Sequence, residues 1–348
     1  MYQSRVIIKG VTRSLGVVAG WQAAAMRPAL KSGLLPVWRD RDTLQIGVDP
    51  RRAVALSGMG QAAFVIGLLD GSRDRDQVIA AAADRGIPVQ TAERILTLLA
   101  AGGALDDVEA STFRELPQAL RVKLAPELAT TSLAHRDGDG GARALARRRA
   151  AVVRIEGDRR TGRAAARLLN AAGVGQVHFV RPAAPGGARE LPSGQALPPR
   201  ITPLIQPDLI ILAGRQPIER LAQLARARVP HLAIMAGEAI GVVGPLVVPG
   251  QTACLLCLDY VRAGNDPAWP LILAQIGRKR PEPPACDAVL AAAVAAQAAA
   301  QALTAIEQGA TATATANGTL ELVLPDWRWR RRTWLPHPAC PCGSHTAK

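Results

Sequence analysis

Two short cysteine motifs, far apart in the chain, constrain the fold more than any other feature of this sequence. Cys254 and Cys257 form a Cys-x-x-Cys pair, and Cys340 and Cys342 form a Cys-x-Cys pair close to the C-terminus. Four thiolates in two close pairs are a usual ligand set of a closed tetrahedral zinc site, which leaves no open position for catalysis. The alternatives are two disulfides or four separate core cysteines, and the close spacing favours structural zinc.

Composition indicates the number of domains, the cellular compartment and the type of partner expected for this chain. With 348 residues it is long enough for two domains, and four of its five cysteines belong to the two motifs, which is typical of a reducing cytoplasm. No uninterrupted apolar run reaches transmembrane length, so we expect no membrane partner. The formal net charge of +14 favours an acidic partner, either nucleic acid, an acidic peptide or another protein. Cys286, outside the motifs, is predicted to be a buried small apolar residue.

Residues 1–33 are predicted to be a poorly ordered extension. Basic residues precede an apolar stretch, a pattern that faintly resembles a signal peptide. The cysteine motifs argue against export, and Met26 is an alternative beginning of the protein.

Three short strands followed by three helices are predicted in residues 34–107, which indicates a compact winged-helix-like domain. Such a domain is either a structural unit or a DNA-binding module. Residues 108–150, with a polar loop and the charge run Arg147-Arg148-Arg149, are predicted to be a linker with a solvated charged face. The predicted strands are residues 37–39, 43–47 and 53–56, and the predicted helices are residues 60–69, residues 74–85 and a helix capped by Thr91 that ends at Gly102.

Residues 151–348 are predicted to form a Rossmann-like α/β domain that contains the cysteine motifs. A buried strand at 152–156, a turn at 157–162, a helix at 163–172 and a strand at 176–181 form its first βαβ unit. The remaining predicted elements are strands at 209–212, 231–235 and 242–248, helices at 217–228 and 287–308, and a hairpin formed by 319–324 and 327–334.

The turn of this βαβ unit departs from a nucleotide-binding fingerprint. That fingerprint has the pattern Gly-x-Gly-x-x-Gly, followed about 20 residues later by an acidic residue that binds the ribose. Here Gly157 and Gly162 are present, but Arg159 stands in place of the second glycine and Arg181 stands where the acid is expected. The site is therefore interpreted as degenerate, and ATP is not expected to bind.

The domain at 34–107 resembles the PqqD-type peptide-recognition domains of peptide-modifying enzymes. The phrases Leu68-Leu69-Asp70-Gly71-Ser72-Arg73 and Ala104-Leu105-Asp106-Asp107 carry that resemblance. It implies that the leader of a precursor peptide adds as an extra strand and also lies against the third helix. The implied peptide-binding residues are Arg52, Ala53, Val54, Ala55 and Leu56 on the strand, and Arg94, Thr97 and Ala101 on the helix.

The second domain resembles the ThiF/ubiquitin-activating-enzyme-like superfamily, most of all at residues 244–259, 266–270 and 337–342. Within it, the chain is similar to the precursor-peptide-binding partners of azoline-forming cyclodehydratases. This resemblance implies a YcaO-type enzyme as partner and allows a homodimer. It also implies a magnesium-binding Asp in active relatives, where this chain has Ala213-Gly214.

Three functions follow from these observations. The favoured function is a non-catalytic subunit that binds the leader and delivers the peptide to a YcaO-type, ATP-dependent cyclodehydratase. The second is an ATP-dependent adenylyltransferase that acts on a peptide or carrier-protein carboxylate. The third is a nucleic-acid-binding regulator, which the single Arg94 beside Glu93 on the third helix disfavours.

Overall fold

The computed structural model describes residues 26–108, 117–180, 206–276 and 285–344. The chain forms two compact units, Met1–Ala146 and Arg147–Lys348, each with its own hydrophobic core.

The first unit contains two small antiparallel sheets. Strand β1 (Pro28–Leu30) pairs with β5 (Leu105–Asp107). The second sheet has the order β2 (Pro36–Trp38), β3 (Leu44–Ile46) and β4 (Val54–Leu56). The three strands predicted in this region are confirmed within one or two residues, and β4 has only one neighbour in this three-stranded sheet.

Three helices cover these sheets. A short 3-10 turn leads into α1 (Phe64–Gly67), and α2 (Arg75–Ala83) follows it. The first turn of α2 has a capping box, because the Asp74 carboxylate accepts a hydrogen bond from the backbone N–H of Gln77 and the Gln77 side chain accepts one from Asp74. Helix α3 (Val89–Ala101) begins two residues before Thr91, which was predicted as its cap.

The structure differs from the prediction for residues 26–33, which belong to the first unit. Lys31 is fully buried, and its Nζ lies 2.5 Å from Asp106 Oδ1 and 2.6 Å from Ser132 Oγ. Because a buried charge must be paired, this network fixes the segment beside β5. The rest of the predicted extension, residues 1–25, lies outside the described residues.

The predicted linker also contains regular structure. Helix α4 (Gln118–His135) and helix α5 (Ala142–Ala150) occupy most of residues 108–150, and residues 109–116 lie outside the described part of the chain. Leu124, Leu128 and Leu145 form a small buried cluster. A short helix was predicted only at residues 115–123, because the apolar residues of α4 are spread around the helix and Pro126 interrupts its sequence.

The second unit is built on a seven-stranded mixed sheet with the order β12-β11-β10-β9-β8-β6-β7. Strands β7, β6, β8 and β9 are parallel, while β10, β11 and β12 join antiparallel. The predicted α/β class is confirmed. The strands are β6 (Val152–Gly157), β7 (Gln176–Val180), β8 (Leu209–Ala213), β9 (His231–Gly237), β10 (Ile240–Val247), β11 (Gly318–Val323) and β12 (Arg328–Thr333).

Helices pack on both faces of this sheet. On one face, α6 (Arg159–Ala171) and α10 (Ala288–Gln308) share the main core with the strands. On the other, Leu224 of α7 (Ile218–Arg226) packs with Ile210 and Leu212. Helices α8 (Leu255–Asn265) and α9 (Trp269–Ile276) follow β10 along the chain. Helix α10 is long and apolar enough to cross a membrane. Within its most apolar 18 residues, 44% are buried inside the protein.

The predicted solvated charge run is partly internal. Arg148 is 5% exposed, and its Nε lies 2.5 Å from Oε1 of Glu307, which is also buried. The guanidinium also donates a hydrogen bond to the Ala172 carbonyl. A remote partner for this charge explains why the local sequence indicated only a solvated face.

Candidate functional site

The four motif cysteines meet in one cluster of the second unit. Cys254 is the N-cap residue of α8 (Leu255–Asn265), which places Cys257 one turn away on the same side of the helix. A C-terminal turn brings Cys340 and Cys342 to the same point. The four sulfurs all lie within 4.8 Å of one another, and Cys257 and Cys340 are buried.

Three of the six sulfur separations are close to those of a tetrahedral metal site. Cys254 Sγ lies 3.7 Å from Cys257 Sγ and 3.6 Å from Cys340 Sγ, and Cys257 Sγ lies 3.6 Å from Cys342 Sγ. Metal–sulfur bonds of about 2.3 Å in a tetrahedron require sulfurs about 3.8 Å apart. The cluster could therefore hold a metal ion with all four ligands supplied by the chain.

Hydrogen bonding between the sulfurs separates their protonation. The Cys254 thiol donates to Cys257 Sγ, which lowers the pKa of Cys257 to about 4 and raises the pKa of Cys254. Burial raises the pKa of Cys340 to about 12. Such thiols lose their protons on binding a metal ion, so metal affinity falls as pH falls.

An alternating series of arginine and tryptophan side chains lies beside the cluster. The Arg262 guanidinium lies 5.2 Å from the ring centroid of Trp269 and 5.5 Å from that of Trp334. Trp334 is 3% exposed and donates its indole N–H to Thr319 Oγ1 at 2.9 Å. Arg332 covers Trp334 at 4.3 Å. The sequence did not indicate these contacts, since they join segments that are remote along the chain.

The switch point of the sheet lies at β6, because its two parallel neighbours β7 and β8 extend the sheet in opposite directions. In open α/β sheets, ligands bind in the crevice at the carboxyl ends of such strands. Here the residue after β6 is Asp158, which caps α6. Its Oδ2 accepts hydrogen bonds at 2.9 Å from both the backbone N–H and the hydroxyl of Thr161.

The glycines and the arginines of the degenerate fingerprint differ in their surroundings. Gly157 has φ +118° and approaches β8 so closely that a Cβ would lie 1.9 Å from the Ala213 carbonyl oxygen. Gly162 is buried inside α6, where a Cβ would lie 2.7 Å from Cε2 of Phe179. Both glycines thus serve packing within the unit. Arg159 is exposed at the first position of α6, which begins four residues before its predicted start, and Arg181 lies outside the described residues.

Other polar groups at this end of the sheet are also bonded within the unit. The Ala213 carbonyl accepts a hydrogen bond from the backbone N–H of Asp158, and the N–H of Gly214 donates to the Ile234 carbonyl. Both Glu156 carboxylate oxygens accept hydrogen bonds from Arg220, at 2.6 and 2.9 Å. At this end of the sheet the Glu156 carboxylate is therefore bound to a guanidinium of the same unit.

Among the described residues, the predicted peptide-binding strand has one free edge. Hydrogen bonds from Gly47 N–H to the Leu35 carbonyl and from Arg39 N–H to the Thr43 carbonyl fix the pairing of β2 with β3. Because antiparallel hydrogen bonds alternate along a strand, Leu44 and Ile46 pair with β4 through Leu56 and Val54. It follows that the backbone N–H and C=O of the residue between them, Ala55, point away from the sheet.

One face of α3 lies open near this edge. Arg94, Thr97 and Ala101 share the exposed stripe of the helix, whereas Ile95 and Leu99 are buried. The end of α3 packs directly on β4, since a Cβ on Gly102 would lie 2.3 Å from Cγ2 of Val54. The two elements that carry the predicted peptide-binding residues, β4 and α3, therefore contact each other.

Helix α4 bounds this surface at the Arg52 end. Arg52 donates a hydrogen bond from Nη1 to the Leu133 carbonyl, and Arg136 Nη2 donates to the Arg51 carbonyl at 3.1 Å. Arg52 therefore contacts α4, a partner that the sequence did not indicate because this segment was predicted to be a linker. Ala53 and Ala55 are half-buried, and Val54 and Leu56 point into the core.

No known protein-family profile matches the chain, and no curated protein matches it. Solved structures do. The heterocyclase TruD superposes on 92% of this chain with a TM-score of 0.61 at 16% identity. Escherichia coli MccB, solved with AMPCPP and MccA, also superposes on 92% of this chain with a TM-score of 0.61, at 14% identity. The chain has a ThiF-like fold.

The two solved structures differ in how much of them this chain matches. The superposition covers 100% of MccB but only 43% of TruD, so the chain spans less than half of the heterocyclase. A further heterocyclase, solved with substrate and cofactor, gives a TM-score of 0.61 at 17% identity over 40% of its length. The predicted resemblance to the ThiF-like superfamily is thus confirmed at the level of the fold.

Proposed function

We propose that the chain is a non-catalytic, cytoplasmic subunit that binds the leader of a ribosomally made precursor peptide. It presents the peptide to a YcaO-type, ATP-dependent cyclodehydratase, which forms the azoline rings. The observation that carries this proposal is the free edge of β4 beside the exposed stripe of α3 in the first unit. A winged-helix-like, PqqD-type arrangement of this unit is part of the proposal.

The leader binds by strand addition. An extended peptide that pairs with β4 gains backbone hydrogen bonds from the outward N–H and C=O of Ala55, which confer affinity without regard to sequence. Side chains of the peptide on the α3 side contact Arg94, Thr97 and Ala101, which select among leaders. A heterocyclase solved with substrate and MccB solved with MccA are compatible with peptide binding by this fold.

The four-cysteine cluster holds a structural zinc ion in this proposal. Zinc accepts four thiolates in a tetrahedron, and the sulfur separations of 3.6–3.7 Å match that geometry. The ion joins the first turn of α8 to the C-terminal turn that carries Cys340 and Cys342. It has no position for a substrate and supplies only stability.

The N-terminus of α6 supports the part of this proposal that makes the chain non-catalytic. Phosphate binding there requires free backbone N–H groups at the start of the helix. Asp158 accepts one of these N–H groups and adds a negative charge, and Arg220 binds the carboxylate of Glu156. The competing function is ATP-dependent adenylyl transfer. It stays an alternative because MccB, which has a similar fold, was solved with ATP.

The test of the peptide site is a substitution on the free edge. Ala55→Pro removes the outward N–H and leaves the pairing of Val54 and Leu56 with β3 intact. One lost backbone hydrogen bond and the ring in the path of the added strand should weaken leader binding about tenfold or more. The matched control is Ala55→Thr, which retains the N–H and suits a strand.

This effect is measured by isothermal titration of each variant with a synthetic leader peptide. The leader is that of a precursor whose gene neighbours the gene of this protein. Equal affinity of Ala55→Pro and Ala55→Thr, with unchanged circular dichroism, would show that the leader does not bind at β4. An exposed groove elsewhere in the chain would then be the site.

A further inference from the structure

The last strand of the large sheet, β12, is an edge strand among the described residues. It has β11 as its only neighbour within the described sheet. The hydrogen bond from Trp334 N–H to the Asn317 carbonyl fixes the alternation of this pair. Arg328, Arg330 and Arg332 therefore direct their backbone groups toward β11, and the N–H and C=O groups of residues 329, 331 and 333 point outward.

The side chains of this strand are strongly basic. Arg328, Arg330 and Arg332 alternate along one face, and all three are exposed. Asp326 pairs with Arg330 at 2.5 Å, so that cation is already partly neutralised. The side chain of Arg328 has no ion-pair or hydrogen-bond partner among the residues that the structure describes.

Arg332 is positioned by a contact within the unit. Its guanidinium packs on Trp334 at 4.3 Å, and Trp334 is fixed by its bond to Thr319 and by burial. An arginine held on an aromatic face keeps its N–H groups free for an anion, and less conformational entropy is lost when the anion binds.

We propose that β12 binds an acidic, extended segment of a partner protein as an eighth strand of this sheet. Residues of such a segment at every second position lie on the same side as Arg328, Arg330 and Arg332, so alternate Asp or Glu residues complement them. A second copy of β12 is excluded as occupant, because like charges on adjacent strands repel. This edge lies in the second unit and is distinct from the leader site on β4.

The probe is a labelled synthetic peptide of about six residues with glutamate at alternate positions and threonine between them. We expect it to bind the full chain in fluorescence anisotropy, and to bind more tightly than a peptide of the same composition with adjacent glutamates. Arg328→Glu/Arg332→Glu should weaken binding about tenfold or more, because two attractions become repulsions. Thr333→Pro, which removes one outward N–H, should also weaken it.

The matched control is Arg167→Glu/Arg226→Glu, which changes the net charge equally on exposed positions of α6 and α7. It should leave the affinity within about twofold, because distant exposed charges are screened. Equal binding of the two peptides, or equal loss in the control, would overturn the proposal in favour of non-specific attraction. Displacement of the peptide by single-stranded DNA of the same charge at lower concentration would overturn it in favour of a nucleic-acid surface.

Discussion

The four-cysteine cluster and the N-terminus of α6 lie in the same ThiF-like unit. Only the cluster has ligand groups that converge on one point. At the cluster, four sulfurs converge on one point. At the N-terminus of α6, the Asp158 carboxylate accepts the backbone N–H of Thr161, and Arg220 donates to the Glu156 carboxylate. The difference indicates that the cysteines are arranged to hold a metal ion, while the polar groups at the N-terminus of α6 bond to one another.

Loss of the metal site is the largest effect that this comparison predicts. Zinc binding in structural sites contributes about 10–16 kcal/mol of apparent free energy, so Cys254→Ser/Cys257→Ser should lose the metal and destabilise the C-terminal hairpin. Elemental analysis should give one zinc per wild-type chain and far less in the variant. Cys286→Ser is the control, because Cys286 lies outside the cluster and should not alter metal content. Full metal retention in the double variant would refute the site.

Removal of the α6 cap should have a smaller effect. Asp158→Ala leaves the N–H of Thr161 without its acceptor, which should lower the free energy of unfolding by about 1 kcal/mol. For a unit of this size the melting temperature should fall by about 2–4 °C. Asp158→Asn, which keeps a side-chain oxygen, should recover most of the loss in the same calorimetric measurement. Equal melting temperatures of the alanine variant and the wild type would show that Asp158 does not stabilise α6.

Restoring the missing glycine should have the smallest effect. In Arg159→Gly, Asp158 still caps the helix and Arg220 still binds Glu156, so we expect no ATP affinity. Millimolar Mg-ATP should leave the melting temperature of this variant unchanged, since only a ligand that binds the native state raises it. A clear rise would mean that the side chain at position 159 alone keeps the nucleotide out.

Much of this architecture could be predicted because its signals are local. The cysteine spacing identified the cluster, and the strands around it follow from apolar runs bounded by Gly, Pro and Asn. The peptide edge was predicted from a family resemblance and stays a prediction, with Val54 on β4 and Thr97 on the neighbouring helix α3.

The missed features depend on partners that are remote in sequence. Lys31 is buried only because Asp106 and Ser132 surround its ammonium group, and no periodicity in residues 28–33 shows this. Similarly, Arg148 is internal because Glu307 meets it from α10. The early start of α6 was missed for a different reason, since Asp158 and Thr161 form a local cap that was interpreted as part of a nucleotide-binding turn.

The central claim is that this chain binds a leader peptide and performs no nucleotide chemistry alone. The direct measurement is ATP–pyrophosphate exchange by the purified chain, with the leader present at a concentration where titration shows it bound. We predict leader binding without exchange, and azoline formation only after a YcaO-type enzyme is added. Exchange of pyrophosphate or formation of a peptide adenylate by the chain alone would contradict the claim and identify an adenylyltransferase.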